Sequence, residues 1–262
     1  MTHGLVRYAV DAGVATLELS NPPANAYSLA MMRDLDEAIL AARFDDDVHV
    51  LLLTGAGSKF FCAGADIAML QEVTPRFKYY FCLHANETML RLEHTAKLVI
   101  AALEGHCVGG GLEVALAADL RVAAAGSGKV GLPEVALGVL PGTGGTQRLA
   151  RLVGKARAIR LMAEGSLMDY ARAAELGLVD EVWPAEGFLA RAHEYARSFC
   201  PPNKASLAVG HLKRAVATGL EVGLEQGLAL ERELQQRLFE SHDAAEGIAA
   251  FNDKRKPVFR GA

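Results

Sequence analysis

Apolar residues come in short runs as far as Trp183 and on helical rows beyond it. Val6–Val10 and Val14–Leu19 flank the turn Asp11-Ala12-Gly13 and predict an opening hairpin. Asn21-Pro22-Pro23 breaks the pattern, Ser28 is placed to cap a helix reaching about Arg43, and Asp45-Asp46-Asp47 returns the chain to Val48–Thr54. That last run is almost wholly apolar, as a strand buried on both faces requires. Lys97–Leu103 repeats the pattern with a β-branched centre and ends at Gly105. Between the two runs, Ile67–Glu93 reads as mixed helix, with Phe77, Tyr79, Tyr80 and Phe81 expected in the core. Leu120–Ala124 followed by Val130–Glu134 forms a further strand-and-turn joint, Asp169–Gly177 a short helix and Leu178–Trp183 a closing strand.

After Pro184 the pattern is helical only. Phe188–Phe199 reads as a helix ended by Pro201-Pro202, and Asn203 is expected to cap the next. Leu224, Leu228, Leu230, Leu234 and Leu238 then fall on i,i+4 rows of another helix. The division this predicts is an α/β core over residues 1–195 carrying the active site and a helical segment over 196–262. The core has no evident use for those leucine rows. An exposed apolar stripe of that length calls for a partner, and self-association is expected. Within the core, Gly64 and Gly110 each stand at a joint between a strand and a helix, so a strand-and-helix unit recurs too loosely for a solenoid.

Composition narrows the class. The 262 residues are 51% hydrophobic and 22% charged, as in an ordinary globular chain, and a net charge of -4 gives no bulk attraction for nucleic acid or an anionic membrane. Cys62, Cys82, Cys107 and Cys200 show no CxxC spacing, and so few thiols suit a reducing compartment. The eight histidines are scattered without HExxH or a Cys/His cluster, so no metal is expected; GxSxG is missing too. The N-terminus lacks an apolar signal core and no apolar run approaches the roughly 18 residues of a membrane span, which together predict a cytoplasmic protein.

The candidate chemistry gathers in Gly105–Leu149. Gly109, Gly110 and Gly111 strip away three Cβ atoms where a strand passes into a helix expected over Leu112–Ala118, leaving bare N–H groups that suit an anion or a carbonyl oxygen. Neither nucleotide fingerprint fits. Val114 and Gly131 stand where a dinucleotide motif wants its third glycine and its ribose-binding acid, and Gly111-Leu112 replaces the Lys-Ser/Thr of a P-loop. Glu113 lies in the first turn of the expected helix, and Glu134 in a second helix start, Gly131-Leu132-Pro133-Glu134. Either glutamate alone reads as helix capping. Together, beside bare amides, they form a candidate acid/base pair.

Phe61-Cys62-Ala63-Gly64-Ala65-Asp66-Ile67, Gly105-His106-Cys107-Val108-Gly109-Gly110-Gly111-Leu112-Glu113-Val114-Ala115, and Gly131–Glu134 through Pro141-Gly142-Thr143-Gly144-Gly145-Thr146-Gln147-Arg148-Leu149 strongly resemble the enoyl-CoA hydratase (crotonase) family. The likeness runs from the first hairpin to Lys254-Arg255-Lys256-Pro257. It implies a crotonase-like spiral of ββα units with a C-terminal helical trimerisation segment, assembled as a trimer or a dimer of trimers. It also implies an acyl-CoA thioester substrate of the fatty-acid β-oxidation kind, with coenzyme A part of that substrate and no separate cofactor. Carried over, the amides of Ala63 and Gly110 form the oxyanion hole. Glu113 activates a water for attack at C3, and Glu134 delivers the proton to C2. Two carboxyls crowded in an apolar pocket resist joint ionisation, so one is expected to hold a proton at neutral pH. Further substrate and CoA contacts implied are Ala24, Ala26, Gly64, Ala65, Asp66, Ile67, Gly109, Pro133, Leu140 and Gly142, with Phe251 and Lys254 reaching a neighbouring subunit's CoA. The acyl wall is expected from Ile67–Phe81.

The same resemblance supplies the alternatives. Family members that only isomerise double bonds usually lack the carboxylate matching Glu113. Dienoyl isomerases, naphthoate synthases and some dehalogenases carry an aspartate within the stretch matching Leu140–Gly144, where this chain has none. An isomerase, another acyl-CoA lyase or hydrolase, or a non-catalytic acyl-CoA- or RNA-binding relative are the other readings. Tyr27 departs from the family at the end of the Asn21–Tyr27 loop, where the resemblance places a CoA adenine contact.

Overall fold

The computed structural model describes residues 2–262. The opening strands β1 (Thr2–His3), β2 (Val6–Asp11) and β3 (Val14–Leu19) are antiparallel neighbours, and β2 and β3 form the expected hairpin around Ala12-Gly13. Ser28 then caps α1 (Leu29–Phe44), its hydroxyl accepting from the Met31 N–H.

Three turns of one pattern follow. β4 (Val50–Gly55) leads to β5 (Phe60–Cys62) and the helices α2 (Ile67–Glu72) and α3 (Pro75–Glu93). β6 (Leu98–Leu103) leads to β7 (His106–Val108) and α4 (Gly110–Leu116), and β8 (Leu120–Ala124) leads to β9 (Val130–Gly131) and a single 3-10 turn, Glu134–Leu137. The first strand of each unit enters a seven-stranded sheet in the order β1-β2-β3-β4-β6-β8-β10, where β10 is Glu181–Trp183; the second strands pair parallel as β5-β7-β9. The recurring joint seen in the sequence is therefore a ββα repeat. Successive turns lie close enough that a Cβ on Gly105 would overlap the Lys59 backbone.

Every residue of β4 and β6 is buried, as their unbroken apolar runs required. Alternation decides which layer each side chain meets. Leu51, Leu53, Val99 and Ala101 face a cluster with Met31, Leu35, Phe81, Met89 and α4, whereas Val50, Leu52, Leu98 and Ile100 meet Phe188, Ala192 and Ala196. Those last three belong to α8 (Phe188–Arg197), which follows α5 (Gly145–Val153), α6 (Lys155–Glu164) and α7 (Tyr170–Glu175). The expected division near residue 196 thus falls within α8, a helix of the core. The helices beyond are α9 (Ser206–Gly219), α10 (Leu224–Phe239) and α11 (His242–Asn252). α9 is anchored on the core by Lys213, whose buried ammonium bonds Asp119 at 2.9 Å and the carbonyls of Leu92 and Lys97.

Several local expectations are corrected. The Ile67–Glu93 stretch is two helices, because Thr74 caps a new one with Pro75 in its first turn. Of the four aromatics, Phe81 is buried and Phe77 packs beside it, but Tyr79 and Tyr80 point outward, 65% and 54% exposed; four residues spaced this closely cannot share one helical face. The helix expected at Leu112 begins at Gly110, since the chain reverses at Gly109 with φ +57°. The helix expected at Glu134 is one turn only, stopped by Gly138 in the left-handed conformation. The closing strand is shorter than expected: it bonds β8 from Asp180, whose N–H donates to Arg121 O at 2.8 Å, and is a regular strand only over Glu181–Trp183. Ala205, not Asn203, precedes α9. Of the leucine row, Leu234 is buried, but Leu224 remains 78% exposed.

Candidate active site

The three ββα joints deliver their residues to one cavity of about 610 Å3. Ala63, Gly64, Ala65 and Ile67 arrive from the first joint, Gly109, Gly110 and Glu113 from the second, and Pro133, Glu134, Leu140 and Gly142 from the third. Ile67, Leu70, Val73 and Pro75 supply an apolar wall, so the expected wall is present as far as Lys78, while the aromatics beyond are not part of it. Ala24, Ala26 and Asp66 stand just outside. The carbonyls of Ala24 and Ala26 accept from Ala63 N–H and Asn21 Nδ2, and Asp66 caps α2 through Ala68 and Met69 N–H. Phe251 and Lys254 do not line the cavity of their own chain; Phe251 is 84% exposed at the end of α11.

Amide directions decide which backbone donors are free. Tyr27 N–H donates to Gly64 O at 2.8 Å and Asp66 N–H to Tyr27 O at 3.0 Å, so this short parallel bridge turns the Ala65 N–H the other way. Ala63 N–H, expected as an oxyanion donor, is instead taken by Ala24 O at 3.0 Å. Among the described residues, no chain acceptor meets the Ala65 or Gly110 N–H. The two lie on adjacent turns of the spiral, with a Cβ built on Gly64 only 3.0 Å from Gly110 N. Gly110 cannot carry a side chain, because a Cβ there would overlap the Tyr27 ring.

The two glutamates sit in opposite surroundings. Glu113 is buried, its Oε1 accepting from Thr143 N–H at 2.8 Å and Gly145 N–H at 2.7 Å and its Oε2 from the Thr143 hydroxyl. All three partners donate, which suits an ionised carboxylate. Glu134 has the contrary environment. Burial, reinforced by the charge of Glu113, pushes its carboxyl up to about 7 against the pull of Lys78, and its buried Oε2 meets no hydrogen-bond partner among the described residues. The other carboxyl oxygen lies over Gly109, 3.0 Å from where a Cβ would stand. The site therefore offers one charged acceptor, one acid held near neutrality, and two bare amides.

Cys62 behind the site is no nucleophile, since burial pushes its thiol up to about 12. Several cavity residues escaped the sequence reading, Tyr27, Ala136, Leu137, Val139 and Thr143 among them. Tyr27 stood out only as a departure from the family loop, and Thr143 only as a position lacking an acid; nothing in their spacing joins residues 116 apart.

The profile of the family described as Enoyl-CoA hydratase/isomerase matches residues 9–262. Enoyl-CoA isomerase/hydratase fer4 of Mycosarcoma maydis is 37% identical over 257 residues, covering 95% of this chain and 93% of that protein. Crotonyl-CoA hydratase of Syntrophomonas wolfei is 35% identical, covering 94% of each. Among solved structures, an enoyl-CoA hydratase from Geobacillus kaustophilus HTA426 superposes with a TM-score of 0.96 at 44% identity, covering 98% of this chain and 97% of that one. With the profile spanning nearly every residue, and with a spiral of ββα turns that brings two glutamates to one cavity, this chain belongs to the enoyl-CoA hydratase/isomerase family.

Proposed function

We propose that the protein is an enoyl-CoA hydratase that adds water syn across the double bond of a trans-2-enoyl-CoA to give the 3-hydroxyacyl-CoA. The observation that carries this reading is the unequal glutamate pair, Glu113 held by three donors and Glu134 held near neutrality in the same cavity. The thioester oxygen accepts from the N–H groups of Ala65 and Gly110, which draws electron density from C3 and stabilises the enolate; one such donor is typically worth about 3–4 kcal/mol in the transition state. Glu113 takes a proton from water as the water oxygen bonds to C3, and Glu134 gives its proton to C2. Exchange with solvent then returns the pair to its starting state. An isomerase needs only one carboxyl to carry a proton between carbons. A second glutamate with this many donors is superfluous for it, which favours hydration.

The purified protein should consume conjugated-thioester absorbance from a panel of short, long, branched and aromatic trans-2-enoyl-CoAs. Glu113→Gln should lower hydration by orders of magnitude and leave residual 3-enoyl to 2-enoyl isomerisation, which Glu134→Gln should lack. Hydration at near wild-type rate in both folded variants would exclude the assignment.

We also propose a trimer-based assembly in which Phe251 and Lys254 reach a neighbour's CoA. It is supported by the exposure of Leu220, Leu224, Phe239 and Phe251 on the C-terminal helices and their connections. No helix among the described residues is long and apolar enough to cross a membrane, and a cytoplasmic setting accords with four unpaired cysteines.

A further inference from the structure

Tyr27 touches both sides of the oxyanion hole and the residue that holds Glu113. Its backbone pairs with Gly64 and Asp66 and so turns the Ala65 N–H outward. Its ring lies against Gly110, in the space a Cβ would need, and 5.7 Å from the ring of Phe81. Its hydroxyl, on a side chain only 2% exposed, stands 3.0 Å from the Thr143 hydroxyl, which in turn bonds Glu113 Oε2.

Hydrogen count fixes the direction of this chain of bonds. A threonine hydroxyl has one proton, and beside an acceptor-only carboxylate it must donate to Glu113. The Tyr27 hydroxyl must then donate to Thr143. The phenol is a constant donor, because burial and the charge of Glu113 hold its ionisation well above the ordinary tyrosine range. A carboxylate has about four lone-pair positions. Thr143 N–H and Gly145 N–H occupy both on Oε1, and the Thr143 hydroxyl takes one on Oε2, which leaves one on Oε2 for a water.

We propose that Tyr27, acting through Thr143, is a positioning residue for the hydration base: the relay Tyr27 to Thr143 to Glu113 confines the base to one open lone pair and thereby fixes where the attacking water sits. Successive O–H donors polarise one another, so the tyrosine strengthens the bond that Thr143 makes to Glu113 without itself meeting the substrate's reacting carbons. The relay rests on the hydratase reading and adds to it two residues that the glutamate pair alone does not require.

The test is a double-mutant cycle on steady-state hydration of crotonyl-CoA by the full-length protein. Tyr27→Phe keeps the ring against Gly110 and deletes the donor. Its kcat should fall about five- to tenfold with little movement in KM, the scale of one hydrogen bond beside a charge. Thr143→Val should lose more, and Thr143→Ser, which restores the hydroxyl, should recover most of that loss. Tyr27→Phe added to Thr143→Val should cost nothing further, because the tyrosine acts through the hydroxyl already removed. Losses that multiply in the double variant, a Tyr27→Phe effect confined to KM, or wild-type kcat in Tyr27→Phe would each overturn the relay while leaving a hydrating wild type, and with it the hydratase reading, intact. A wild-type protein that does not hydrate crotonyl-CoA or any longer enoyl-CoA would overturn both.

Discussion

Protonation of Glu134 should set the pH profile of hydration. Its carboxyl is held at about 7 rather than the ordinary 4.5, first by burial and then by Glu113. At the ordinary value, roughly one enzyme in three hundred would carry the proton at pH 7; at about 7, roughly half do, an increase on the order of a hundredfold in the form able to deliver a proton to C2. If that delivery is required, kcat/KM for hydration should level off below about pH 6 and fall about tenfold per unit well above pH 7. Initial rates of absorbance loss across that range, at substrate far below KM, measure it directly. Lys78 opposes the shift, so Lys78→Met should carry the break to higher pH. The same raised value has a sign for stability. The folded chain keeps a proton that the unfolded chain gives up, so its contribution is fully present below about 4.5 and is lost as pH rises through about 7. Urea midpoints should fall across that window. A flat rate profile from about pH 6 to 9, or a break that persists in residual activity of Glu134→Gln, would refute the assignment of the acid.

Two further tests concern assembly and anchoring. Replacing both Phe251 and Lys254 by alanine should raise KM for enoyl-CoA with little change in unfolding midpoint, and sedimentation at micromolar concentration should give a mass that is a multiple of three chains; a monodisperse monomer would refute the assembly. Lys213→Met leaves Asp119 without its ammonium partner and two carbonyls without a donor, which should destabilise the fold by about 3 kcal/mol, read from urea unfolding.

The apolar runs made the spiral's skeleton legible: Val50–Leu53 and Leu98–Leu103 could bury both faces only inside a parallel sheet, and that is where they lie. Caps were legible where a short polar side chain precedes the helix, as at Ser28. Amide direction was not, because Ala63 and Ala65 differ only in which way a bridge to Tyr27 turns the backbone, and sequence carries no record of that. Nor was the Tyr27–Thr143 contact, which depends on α4 and the loop before α5 closing over a residue from the first loop. The glutamates were found because each follows a glycine-containing turn at a helix start, a local mark that long-range partners lack.

The helix α2 that supplies much of the apolar wall has no buried residue of its own. Met69 packs against the core, whereas Ile67 and Leu70 line the cavity, so exchanging either of these two for another apolar residue leaves the core packing in place and should shift stability by only about 0.5 kcal/mol. The reacting groups, by contrast, are locked into the interleaved turns beneath. A lineage built on this plan can therefore retune which acyl chain it accepts by drift in one short helix while its chemistry stays constant, and laboratory selection for a new substrate has its lowest-risk starting point there.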